Sequence, residues 1–138
     1  MIDPGKFEKY RMAGEIADSA LIKGIELCHK MKKASEVCKY CDNFIMERLN
    51  NSYKKLSKGI YLPTCLSINS IIAHNTFTEN DDYQLKDNDI VRIELACHID
   101  NNIVSVGETI KIGNEDWNQS EQMTAALKAM EVGIQMIQ

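Results

Sequence analysis

Glu94 and Ser105 stand eleven residues apart on either side of Asp100-Asn101-Asn102, and His74 lies twenty residues before Glu94. The stretch IVRIELACHIDNNIVSVGETIKI, Ile90 to Ile112, reads as two strands joined by that turn, because Asp and Asn tolerate the positive φ a tight hairpin requires. Residues on facing strands can point to one side of the hairpin and converge on a ligand. Glu94 is a carboxylate where an apolar residue is expected, which raises the question whether it is half of a metal site or the remnant of one. A plainer reading places Glu94 on a polar sheet face, hydrogen-bonded to Ser105 or Thr109, with His74 structural and His98 capping backbone groups beside the turn. Cys38 and Cys41 have CxxC spacing, but they fall in a helical pattern with no second pair, which disfavours zinc. The sequence contains no Ser-His-Asp arrangement, phosphate loop or nucleotide fingerprint.

The elements that must position these residues follow from periodicity. Tyr10, Ala13, Ala17, Ala20, Leu21, Gly24 and Leu27 recur at three-and-four spacing and predict a helix from Phe7 to about Lys30, entered at Pro4-Gly5. Ser35 is the expected N-cap of a second helix, with Val37, Tyr40, Cys41, Phe44, Ile45 and Leu49 as its apolar stripe and Asn50-Asn51-Ser52 as its end. GIYLPTCLSINSIIAHN predicts an irregular strand followed by a loop through TENDDYQLKDND. After the hairpin, Asn114 to Ser120 reads as a loop and Glu121 to Gln138 as a third helix. Ala20 to Cys28 matches Ala129 to Ile137 in register, with Ala, Gly and Ile identical, which suggests a repeat that begins again in the third helix.

With 138 residues, 44% of them hydrophobic, the chain can bury a core and is expected to form one domain. Its polar N-terminus predicts no secretory signal, and no apolar run reaches the roughly 20 residues of a membrane span. Five cysteines, an odd number without framework spacing, fit reduced intracellular thiols. Net charge is −4, yet nine of the basic residues fall between Lys23 and Lys58 against four acids, while Glu79 to Glu108 holds eight acids. The basic segment could attract phosphate or could be an ordinary solvated surface.

KYRMAGEIA (Lys9 to Ala17), KGIYLPT (Lys58 to Thr64), SINSIIAHN (Ser67 to Asn75), LKDNDIVRIEL (Leu85 to Leu95) and HIDNNIVSVGET (His98 to Thr109) resemble, in order and spacing, methionine aminopeptidases and their pita-bread relatives. The resemblance is closest to the non-peptidase branch of proliferation-associated, growth-factor-receptor-binding, ribosome-associated proteins. It covers nearly the whole chain but about the first half of the family domain, so the implied fold is α+β: half of a pita-bread fold, residues 1–138 forming a truncated domain that runs into the first helix of a second repeat. In the enzymes, the resemblance implies two metals held by two Asp from this hairpin and a His and two Glu from the second half. Those Asp positions fall on Glu94 and Ser105, the substrate-side His falls on His74, and the remaining positions lie past Gln138. A neutral hydroxyl cannot replace a bridging carboxylate for hard divalent ions, so the expectation is vestigial positions, with no catalytic residues, no metal and no cofactor.

The implied function is a non-catalytic binding factor of the large ribosomal subunit, acting near the tunnel exit or in maturation. Lys30, Lys32, Lys33, Lys54, Lys55 and Lys58 are the expected phosphate contacts. The alternatives are a pseudoenzyme that binds protein or peptide, and one half of a split metallopeptidase. A half fold is expected to leave an apolar sheet edge and face uncovered, for a homodimer or a second-half partner and not for a membrane. The expected location is the cytoplasm, with nucleus and nucleolus as further compartments.

Overall fold

A computed structural model describes residues 3–113 and 121–137. Its elements run α1 (Pro4–Leu27), α2 (Ala34–Asn50), β1 (Lys58–Ile68), β2 (Ile90–Ile99), β3 (Asn102–Lys111) and α3 (Glu121–Gln135). The loop expected at Asn114 to Ser120, and the last residue of the expected third helix, lie outside the described residues.

α1 begins three residues before the predicted start. Asp3 caps it by accepting from the Gly5 N–H at 3.2 Å, and Pro4 fills a position whose missing N–H costs nothing. Ala13, Ile16, Ala17, Ala20, Leu21 and Gly24 make its buried stripe. The start of α2 corrects the expected cap: Lys33 holds the cap position with no side-chain hydrogen bond, and Ser35 lies inside the helix. The cap comes instead from the loop before β2. Asp82 accepts from the Ser35 N–H at 3.0 Å and from its hydroxyl at 2.7 Å. Burial works against the charged Asp82, but the Ser35 and Tyr83 hydrogen bonds and Lys33 outweigh it and hold the carboxyl below its ordinary value.

The three strands form one antiparallel sheet in the order β1-β2-β3. Asp100 (φ 52) and Asn101 (φ 60) form a two-residue loop between Ile99 and Asn102, one residue tighter than the predicted turn. Register shifts flank Leu62, next to Pro63, which has no N–H to give the ladder. Asp42 of α2 then pins the strand by accepting from the Thr64 N–H at 2.9 Å and its hydroxyl at 2.7 Å.

α1 packs over β2 and β3, and α2 over β1. The face they cover carries Leu66, Val91, Ile93, Leu95, Cys97 and Ile99, all buried. Gly24 lets the helices approach: a Cβ there would meet the Cys41 sulfur at 3.0 Å. On the opposite face the period-two alternation places Arg92, Glu94, Ala96 and His98 beside Thr109, Gly107, Ser105 and Ile103. The segment after β1 folds back along that strand's outer edge, where the Leu66 N–H donates to the Asn75 carbonyl at 2.7 Å. Among the described residues the free face is mostly polar or small and the outer edge of β1 is partly covered, while β3 pairs only with β2. Exposed apolar side chains concentrate on α3, in Leu127, Met130, Val132 and Ile134.

Candidate functional site

β2 presents Glu94 to the free face flanked by Cys65 on β1 and Gly107 on β3, neither of which donates to it. The residue is 8% exposed, so its charge needs partners. They are not the expected Ser105 and Thr109. Oε1 accepts from Arg92 Nη2 at 2.9 Å, and Oε2 accepts from the His74 backbone N–H at 3.2 Å. Arg92 sits two residues earlier on the same strand face, a spacing legible in the sequence.

His74 contributes its backbone to Glu94, with φ 58 and an exposed residue surface. Its loop is anchored at both ends. Asn69 donates to Asp89 at 2.9 Å and accepts from the Ile90 N–H at 3.0 Å, and Asn75 donates to the Leu66 carbonyl at 3.2 Å. Burial opposes the charge of Asp89, but Asn69, the Lys86 N–H and Tyr83 together hold its carboxyl below the usual range. Ser105 lies opposite Ala96, exposed, on the same face as Glu94. A cleft of about 860 Å³ opens there, lined by Arg92, Glu94, Ser105 and Thr109 from the sheet and by Leu127 and Met130 from α3.

The donor set does not fit the implied metal pair. Of the two implied Asp positions only Glu94 is a carboxylate, with both oxygens engaged, and the second, Ser105, holds a neutral hydroxyl. Nor does the CxxC pair supply thiolates. Cys38 and Cys41 are buried, and burial pushes Cys41 up to about 12; burial together with the neighbouring Cys41 and Cys38 does the same to Cys28. His98 does not cap the turn: its Nδ1 is buried without a hydrogen-bond partner among the described residues.

The candidate phosphate contacts are divided. Lys30 pairs with Asp87, Lys32 with Glu36, and Lys33 with Asp82 at 3.9 Å. Lys58 donates to the Tyr53 carbonyl at 2.7 Å. The acidic loop before β2 thus lies against the basic junction of α1 and α2, and opposite charges separated in sequence meet in space. Lys54 and Lys55, on the loop between α2 and β1, are exposed and have no hydrogen bond or ion pair among the described residues.

The sequence profile of metallopeptidase family M24 matches residues 8–138. The chain belongs to the M24 family. Among its relatives are ErbB-3 binding protein 1 of Arabidopsis thaliana, 32% identical over 99% of this chain and 36% of that protein. Proliferation-associated protein A of Dictyostelium discoideum is 34% identical over 98% of this chain and 37% of its own length. The chain therefore spans just over a third of these relatives. Among solved structures, a thermophilic Arx1 superposes with TM-score 0.77 at 26% identity, over 83% of this chain and 32% of that one. Methionine aminopeptidase of Thermotoga maritima superposes with TM-score 0.78 at 18% identity, over 99% of this chain and 54% of that one. The helices, the three-stranded sheet and the Glu94 hairpin are thus those of an M24 pita-bread fold, and the resemblance to the proliferation-associated branch is borne out.

Proposed function

We propose that the chain is a non-catalytic M24 protein that binds the large ribosomal subunit through phosphate contacts. The observation that carries the non-catalytic half is the engagement of Glu94: both oxygens are taken by Arg92 and His74, and Ser105 adds no charge. The ribosomal half rests on the branch its motifs resemble and on Lys54 and Lys55, exposed ammonium groups with no carboxylate partner among the described residues. Flexible, unpaired lysines release counterions when they meet phosphate, whereas Lys30, Lys32 and Lys33 would first have to leave their acids. Lys58 supports this loop from within.

The test is co-sedimentation with ribosomes at graded salt. Lys54→Glu with Lys55→Glu should weaken association sharply and lower the salt slope by roughly one unit per lost contact. Lys30→Glu should have a smaller effect, and N-terminal methionine should not be released from peptides with manganese or cobalt present. Unchanged co-sedimentation of the double variant would exclude the phosphate-contact reading. A second reading, a peptide-binding pseudoenzyme, draws on the cleft of about 860 Å³ with its apolar Leu127 and Met130 wall. It predicts that Met130→Asp, and not the lysine variants, abolishes partner capture.

A further inference from the structure

A carboxylate as buried as Glu94 is stable only beside a positive charge or several donors. Only two partners reach it among the described residues: one neutral N–H from His74, and the Arg92 guanidinium at 2.9 Å. Cross-strand neighbours offer nothing more, since Gly107 has no side chain and the Cys65 thiol donates to the Pro63 carbonyl. The Arg92 side chain is 49% exposed and reaches Glu94 along its own strand, so the cation lies on the cleft side of the carboxylate. That is also the side from which any dissolved cation would arrive.

We propose that Arg92 is the built-in cation of this site: its guanidinium takes the place of a divalent metal as the counter-ion of Glu94. The strand spacing makes this possible, because residues two apart share a face and an Arg side chain can bend back to its neighbour's carboxylate. A fixed guanidinium also keeps Glu94 from a metal in two ways. It occupies one of the two oxygens, and its charge repels a second cation from the mouth of the site. The inference goes beyond the ribosome-binding reading and does not depend on it.

The experiment is a double-mutant cycle on thermal and denaturant stability, with no activity or binding readout. Arg92→Met keeps most of the unbranched stem and removes the guanidinium charge. It should lower the folding equilibrium constant by roughly tenfold to a hundredfold, the cost of leaving a buried acceptor without its partner. Glu94→Gln in that background should recover most of the loss, and Arg92→Lys should lose little. Packing alone would give a loss that Glu94→Gln does not recover. Manganese chloride at millimolar concentration should then raise the melting temperature of Arg92→Met, and leave wild type and the Arg92→Met/Glu94→Gln variant unmoved. An Arg92→Met protein as stable as wild type, or a loss that Glu94→Gln leaves in place, overturns the counter-ion role. Equal manganese response of wild type and Arg92→Met overturns the replacement of a metal.

Discussion

Ala20 to Cys28 on α1 and Ala129 to Ile137 at the end of α3 carry nearly the same pattern and meet opposite surroundings. On α1, Ala20, Leu21 and Gly24 are buried, and Gly24 faces Cys41 and Ile93. On α3 Met130, which corresponds to Leu21, is 55% exposed, and at Gly133, which corresponds to Gly24, an added Cβ would meet nothing within 4 Å. The pattern makes both segments helical and gives both an apolar face. It does not provide the sheet and second helix that turn such a face into a core. Periodicity specifies the need for burial, and tertiary contact decides whether the need is met.

Matched substitutions in the two segments can break this comparison. The largest effect is expected at Leu21→Ala, where a buried side chain leaves a cavity worth about 2–5 kcal/mol in denaturant unfolding. Equal stability of Leu21→Ala and wild type would mean that α1 is not packed as described. Next is Gly24→Leu, which must push apart Cys41 and Ile93 and should cost about 1–3 kcal/mol, while Gly133→Leu should leave the melting temperature unchanged.

A smaller effect sharpens the same contrast at the helix starts, since α1 is capped by its own Asp3 and α2 by the distant Asp82. Asp82→Ala should cost about 1 kcal/mol, the usual worth of a cap. The effect also depends on pH. The Asp82 carboxyl is held below its unfolded value, so its contribution is present above that value and lost as pH falls through the folded one. The difference between wild type and Asp82→Asn should therefore be full at neutral pH and shrink below pH ~4. A difference that instead grows on acidification would contradict the capping role. The smallest effects belong to α3. Met130→Ala should change global stability by less than about 0.5 kcal/mol, and Gly133→Ala should slow amide exchange in α3 by up to about 1 kcal/mol of helix propensity.

Much of the fold was legible because it is local. The α1 stripe, the α2 stripe, the alternation along β2 and the Asp100-Asn101 turn all follow from side-chain period and backbone tolerance. The Glu94, Ser105 and His74 positions were also legible, as motif positions. Their partners were not. Ser105 and Thr109 were expected beside Glu94 because cross-strand neighbours are usual, yet the carboxylate turns along its own strand to Arg92 and across to the loop of His74. Ser35 looked like a cap because Ser before an apolar stripe usually is one, but a longer-range carboxylate took the role and moved the helix start.

Charge separates the two kinds of information most clearly. The sequence by itself determined that lysines crowd Lys23 to Lys58, that acids crowd Glu79 to Glu108, and that a carboxylate stands in the first strand of a hairpin whose second strand carries Ser105. Only the tertiary structure decided that Lys30, Lys33 and Lys39 spend their charge on Asp87, Asp82 and Glu79, which leaves Lys54 and Lys55 free among the described residues. It likewise decided that Glu94 is closed by an arginine. The physical reason is range: helix and strand periods are set by covalent geometry over a few residues. A charge, by contrast, is neutralised by whichever opposite charge the fold brings within a few ångströms, however far away in the chain it lies.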